Sequence, residues 1–313
     1  MAVRKRLRIF QHVRALMCCG LLLVNMLANN SYAELVTKLS VIDDLGNTVT
    51  LEQPAKRIVS LAPHITELLF AVGAGEQVVG VVSYSDFPEA AKKLPQVGAY
   101  NAFDLETIVA LKPDLIVAWN STNPAGALQK LQAMSIPVFI SEPRKLEDVA
   151  SNLESLGRLT GNERSANAAS TKYRQRLDEL RTQYSTRSSV SVFYQIWHQP
   201  LMTINGEHLI SQVIELCGGR NVFAGLPTLA PKISLESVLQ KDPEVIIAGN
   251  SALNHPSWKE DWTRWPSLRT VKNGHLFYIN PDIIQRHTPR ILQGAEVLCR
   301  QLEMVRTARD AVH

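Results

Sequence analysis

The 313 residues contain no Gly-x-Ser-x-Gly elbow, no glycine-rich phosphate loop and no His-Glu-x-x-His spacing. Those absences argue against a hydrolase built on a nucleophilic serine, a nucleotide-driven enzyme and a zinc protease. No apolar run reaches the ~20 residues that a membrane span needs. Cysteine is scarce, with four in the chain, and Cys18 and Cys19 lie near the N-terminus. An excess of one charge is missing too, once the N-terminal segment is set aside.

That segment reads as an address. Arg4, Lys5, Arg6, Arg8 and Arg14 form a basic region, the stretch from Ala15 to Leu27 is apolar, and Ser31-Tyr32-Ala33 offers small residues at the −3 and −1 positions of a signal-peptidase site. Asn25, Asn29 and Asn30 interrupt or follow the apolar stretch, which disfavours an anchor. A lipoprotein signal at Cys18 or Cys19 lacks the small residue it needs, because Leu16-Met17 precede them. Residues 1–33 are therefore expected to be a signal peptide, cleaved after Ala33 to release a soluble exported protein. Removing its five basic residues from the total of 33 leaves 28 Lys+Arg against 29 Asp+Glu. A chain so balanced gives no electrostatic case for nucleic acid. Only Cys217 and Cys299 then remain, and a single pair in an exported chain closes as a disulfide more often than it stays as two buried thiols.

What is present is an echo. Phe103-Asp104-Leu105-Glu106-Thr107-Ile108-Val109-Ala110 leads to Pro113-Asp114-Leu115-Ile116-Val117-Ala118, and Ile233-Ser234-Leu235-Glu236-Ser237-Val238-Leu239 leads to Pro243-Glu244-Val245-Ile246-Ile247-Ala248. Each reads as a capped short helix, a proline turn and an apolar strand. One repetition is too few for a solenoid, and points to two similar lobes with a cleft between them. Glu106 and Glu236 take equivalent places in the two copies.

Strands alternate with helical patterns along both halves, so the fold class is α/β with mostly parallel sheets. In the first half, strands are expected at 57–61, 78–82, 114–118 and 137–140, with Gly157 and Gly161 breaking the helices that follow. From Glu163 to Tyr184 there is neither proline nor glycine. Such a helix spans ~33 Å, enough to cross between lobes or to pack along one of them. The second half gives strands at 190–196, 244–248 and 276–279 and a last helix from about Pro289 to Val305. The division is 34–160 for the first lobe, 161–188 for the connector and 189–313 for the second lobe, each lobe with its own core.

Several runs together carry a resemblance. They are Ile58-Val59-Ser60-Leu61-Ala62-Pro63, Thr66-Glu67-Leu68, Val81-Val82-Ser83-Tyr84-Ser85-Asp86-Phe87-Pro88, Leu216-Cys217-Gly218-Gly219 with Asn221-Val222-Phe223, and Pro289-Arg290 leading to Leu298-Cys299. In order and spacing the chain resembles the periplasmic cobalamin-binding proteins of Gram-negative ABC importers. They belong to a helical-backbone group that also serves siderophores and haem. The resemblance implies two α/β lobes joined by a long backbone helix, a ligand cleft between them and little opening or closing. It implies that Glu106 and Glu236 dock onto arginines of the membrane permease. It also implies that aromatic side chains cover the corrin ring: Tyr84, Tyr100 and Trp119 from the first lobe, Trp197 from the second. Asp282 and Arg286 match polar positions, as ligand contacts or as a structural ion pair. The chain departs from the pattern at Ala230, where the family has tryptophan, and at Ile283-Ile284 within the run from Asp282 to Arg286.

The reading that follows is a non-enzymatic periplasmic binding protein. Monomeric when free, it carries cobalamin as cargo, with no cofactor, to an inner-membrane permease and its ATPase subunits. Within the same class the cargo could be haem, a ferric siderophore or a cobalamin precursor; an exported hydrolase is the reading from another class. His64, His198 and His287 fall near the expected cleft loops, but none has metal-ligand spacing, so polar or capping roles are expected and no metal site.

Overall fold

The computed structural model describes residues 38–249 and 255–311, so the expected signal peptide and cleavage site, with Cys18 and Cys19, lie outside the described residues. Among the described residues no helix is long and apolar enough to cross a membrane.

The chain starts with an antiparallel hairpin, β1 (Leu39–Ile42) and β2 (Thr48–Leu51), which the sequence reading did not mark. The Asp43 carboxylate closes its turn by accepting from the backbone N–H groups of Leu45 and Asn47. The first lobe follows: β3 (Ile58–Ser60), α1 (Pro63–Ala71), β4 (Val78–Val81), the small ribbon β5 (Gly98–Ala99) and β6 (Ala102–Phe103), α2 (Leu105–Ala110), β7 (Leu115–Ala118), α3 (Ala125–Ala133) and β8 (Val138–Ile140). Helices α4 (Leu146–Thr160) and α5 (Glu163–Tyr184) come next. The second lobe comprises β9 (Val190–Gln195), α6 (Leu209–Leu216), β10 (Gly219–Asn221), α7 (Leu235–Lys241), β11 (Val245–Ala248), α8 (Trp258–Thr263), α9 (Arg269–Lys272), β12 (Leu276–Tyr278), α10 (Pro281–Ile284) and α11 (Ile291–Asp310).

Each lobe holds a four-stranded parallel sheet, ordered β4-β3-β7-β8 in the first and β10-β9-β11-β12 in the second. Counted within each lobe, both orders are 2-1-3-4, and the two echoed segments supply the third strand of each. The repeat seen in the sequence is thus a repeat of topology.

The packing differs from the expected pair of separate cores. Side chains alternate across a strand, so Leu115 and Val117 face one way while Ile116 and Ala118 face the other; Val245 and Ile247 oppose Ile246 and Ala248 likewise. The outward faces build two local clusters. The inward faces of both sheets join α1, α4, α5, α6 and α11 in one continuous apolar cluster running from Val41 to Val305.

Helix α5 occupies the 22 residues expected of it and buries Ala166, Ser170, Tyr173, Leu177, Leu180 and Tyr184. It pairs with α4 through Arg174–Glu154 and Arg181–Glu147, and with α11 through Arg176–Glu296 at 2.8 Å. Gly157 is not a break. It lies inside α4, where an added Cβ would come within 2.2 Å of the Ala166 Cβ, so the missing side chain is what lets α5 approach. Gly161, at φ +72°, is the true terminator, in the left-handed region that glycine takes at little cost. Strand β10 is a three-residue edge strand of Gly-Arg-Asn, formed by pairing with Val190–Val192 and without an apolar pattern of its own. The last helix starts at Ile291 and runs to Asp310, five residues beyond the expected end.

Candidate functional site

The carboxyl ends of parallel strands leave room for ligands, and here both sheets contribute to one such place. A cavity of about 620 Å³ is lined by Tyr84, Tyr100 and Trp119 from the first lobe and by Trp197, Asp282 and Arg286 from the second. The structure therefore brings all six expected ligand-side residues around a single space. Pro63, His64, Asp86, Pro281 and Gln285 complete its wall.

Loop chemistry sets these side chains. Tyr84 lies three residues past β4 with φ +66° and is 73% exposed, so its ring stands free in the opening. Asn123, almost fully buried, accepts the Trp119 backbone N–H at 2.6 Å through Oδ1. Its Nδ2 donates to the carbonyls of Leu61 at 2.9 Å and Tyr100 at 2.6 Å. One amide thus fixes the loops that carry two of the aromatic residues. Trp197, 39% exposed, is tied down by donation from its indole N–H to the Gln199 carbonyl at 3.0 Å.

Asp282 and Arg286 do pair with each other, at 2.8 Å and four residues apart. Arg286 also reaches Glu67 and Asp86, each at 2.8 Å. Glu67, whose side chain is only 2% exposed, also receives Arg290. A guanidinium with three carboxylate partners stays charged, and its donors are already largely used.

One wall residue, His64, is a buried histidine and has a second, His287, behind it. His64 packs edge-on against Trp119, with ring centres 4.9 Å apart, and lies 5.5 Å from the ring of His287. Burial, with the positive charge of Arg286 nearby, pushes the His64 pKa down to about 3. Burial above all, with His64, His208 and Arg144, holds His287 well below the usual range. Both are neutral at ordinary pH. His198 is elsewhere: it borders a separate cavity of about 320 Å³ beside Trp262.

Glu67, Asp86, Asn123 and Gln285 were not singled out from the sequence. Glu67 did carry a signal, being the one charge within the apolar helix Pro63–Ala71. Asn123 carried none beyond its place before a proline.

The two echoed glutamates take the same position on their helices. Asp104 caps α2 by accepting from the N–H groups of Glu106 and Thr107, and Ser234 caps α7 by accepting from Ser237. Glu106 and Glu236 are each second in their helix and exposed, while Ile108 and Val238 are buried two residues later. Among the described residues neither glutamate has an ion-pair partner. A carboxylate there is favoured by the helix dipole and open to an arginine fork. Cys217 and Cys299 form the expected disulfide, with Cα atoms 4.7 Å apart, joining the end of α6 to α11.

Residues 58–283 match the family model described as periplasmic binding protein. The vitamin B12-binding protein of Vibrio parahaemolyticus is 36% identical over 258 residues, covering 82% of this chain and 93% of that protein. The crystal structure of the periplasmic vitamin B12 binding protein BtuF of Vibrio cholerae superposes with a TM-score of 0.76 at 37% identity, over 81% of this chain and 98% of that one. The periplasmic heme-binding protein RhuT of Roseiflexus superposes with a TM-score of 0.71 at 21% identity, over 80% and 99% of the two chains; that likeness is one of fold.

Proposed function

Because the chain belongs to the periplasmic binding protein family, we propose that it is the solute-binding component of an ABC importer, exported to the periplasm, that captures cobalamin and hands it to an inner-membrane permease. The vitamin B12-binding relatives support the class of cargo. The observation that carries the reading is the composition of the interlobe cavity. Tyr84, Tyr100, Trp119 and Trp197 offer flat apolar faces from both sides, and Asp86, Asp282, Gln285 and Arg286 offer polar atoms around them. A corrin ring is large, flat and fringed with amides. Tyrosine and tryptophan can pack against its faces and keep polar tips for the fringe.

Charge separates this cargo from haem. A haem brings carboxylates and wants a cation, yet Arg286 already faces Glu67, Asp86 and Asp282. The two acidic groups on the wall, Asp86 and Asp282, would repel an anionic ligand and accept from amide N–H groups. The Ala230 and Ile283-Ile284 departures remove aromatic cover, and Trp197 supplies it from the second lobe. Binding is non-covalent, and no catalytic step is assigned.

Glu106 and Glu236 are the proposed contacts with the permease, one on each lobe. The test of the reading is a titration of the mature protein with cyanocobalamin, followed by tryptophan fluorescence and calorimetry, with hemin and a ferric siderophore as competitors. Saturable one-to-one binding of cyanocobalamin supports it. Binding of hemin or the siderophore alone would move the protein to another transport route while leaving the fold and the docking glutamates in place.

A further inference from the structure

His198, His255 and Asp261 converge on the second lobe, away from the interlobe cavity. Their donor atoms lie within 4.8 Å of one another. The His255 Nε2 is 2.6 Å from the Asp261 Oδ2, and the His198 Nε2 is 3.7 Å from the same oxygen. The two imidazole rings are nearly parallel, with centres 4.1 Å apart. Arg264 lies 3.6 Å from the other oxygen, Oδ1, which leaves Oδ2 turned to the histidines.

The elements that bring these residues together are locked to one another. His198 follows β9 and Asp261 sits in α8. Trp262, next to Asp261 and buried, donates its indole N–H to Gln195 at the end of β9 at 2.7 Å, and stacks edge-on with Phe193. Such outer contacts orient the groups that hold a metal. The three side chains themselves are about a third exposed, so their rings can turn.

We propose that His198, His255 and Asp261 form a binding site for a divalent transition-metal cation of borderline softness, with zinc as the type ion. Two imidazoles and one carboxylate are ligands suited to such a cation, and unsuited to calcium or magnesium, which take oxygen. Ligands at ~2.1 Å around a tetrahedral zinc stand ~3.4 Å apart. The present separations bracket that value, and a shift of about an ångström, fanning the stacked rings apart, would meet it. Three protein ligands leave a fourth position, and the cavity bordered by His198 and Asp261 lies beside it for a water or a small anionic ligand.

The site does not depend on the identity of the cargo. It clamps the loop that carries Trp197 to α8, so occupancy would stiffen one wall of the interlobe cavity without adding a contact inside it. The motif reading missed it because the histidines come from two segments 57 residues apart, with no His-x-x-His pattern.

The experiment is equilibrium dialysis of the tag-free, EDTA-stripped mature protein against buffered zinc chloride, with metal measured elementally. Asp261→Asn, His198→Gln and His255→Gln variants are run alongside, each checked by circular dichroism. The expected result is one zinc per chain with a Kd of about 10 μM or tighter, weakened roughly tenfold or more in each variant. Millimolar magnesium should not compete. Zinc should raise the Tm of the parent protein more than that of Asp261→Asn, as linkage requires. Absence of saturable zinc binding, or binding that all three variants retain, overturns the proposal.

Discussion

Arg290 and Glu67 close a two-point ion pair between the lobes, Nε to Oε2 at 2.9 Å and Nη2 to Oε1 at 2.6 Å. Glu67 belongs to α1 in the first lobe, and Arg290 immediately precedes α11 in the second. The Arg290 guanidinium also lies over the Phe87 ring at 3.8 Å. With Arg286 on the same carboxylate, one buried anion holds two cations of the opposite lobe.

Removing that anion should be costly. Glu67→Gln leaves Arg286 and Arg290 without their buried partner, and breaking such a pair costs about 3 kcal/mol. Urea unfolding of the variant should show a midpoint lowered to match. An unchanged midpoint would mean that solvent already screens the pair.

Trp119→Ala and Trp197→Ala should each weaken cyanocobalamin binding about tenfold or more, the usual cost of losing a central aromatic contact. Trp197 is the cleaner probe, since Trp119 also packs on His64 and the shared core. Calorimetry measures the affinity and circular dichroism checks the fold. Unchanged affinity in both variants would remove these side chains from the site.

Glu106→Ala combined with Glu236→Ala should leave cargo affinity intact and impair permease-dependent uptake of labelled cobalamin. Both residues are exposed and neither lines the cavity. Normal uptake by cells carrying the double variant would rule out the docking role.

Acid should destabilise the protein through its buried histidines. His64 is pushed down to about 3, whereas the unfolded side chain titrates near its ordinary value of 6.5. The unfolded state therefore binds more protons between those limits, and the stability present above pH 6.5 is lost as pH falls. At pH 5 the loss is about 2 kcal/mol for such a histidine. Urea unfolding at pH 7 and pH 5 should show a smaller drop for His64→Gln than for the parent.

Replacing Cys217 and Cys299 together by alanine opens a loop of 82 residues. Chain entropy alone then predicts a loss of about 4.5 kcal/mol. Thermal unfolding of the double variant, with the reduced parent protein as control, measures it.

What the sequence revealed followed distance along the chain. The 22-residue α5 was legible because a long stretch without proline or glycine speaks through its own composition. The paired third strands were legible because both carry a cap, a proline and β-branched residues in order. Glu67 announced an anomaly, a charge in an apolar helix, but its partners lie 219 and 223 residues away, and nothing local names them. Gly157 looked like a helix break because composition cannot tell a flexible glycine from one that makes room for a neighbour. Strand β10 exists through its pairing, and Gly-Arg-Asn has no pattern to read. The cavity residues emerged from resemblance, since a lone tryptophan or tyrosine does not say which face it serves.

The shared apolar cluster has a bearing on how the chain acquires its shape during synthesis. Ile291, Leu292, Ala295, Leu298, Leu302 and Val305 of α11 belong to the same cluster as Val41 and Val49 of the opening hairpin. A polypeptide emerging from its N-terminus first would therefore hold an unfinished interior until α11 is delivered. The inner faces of the first sheet would stay sticky throughout that interval. A chaperone or holding factor that covers apolar surface would find its longest opportunity before α11 arrives, and a chain truncated ahead of Ile291 would be a substrate for proteolysis.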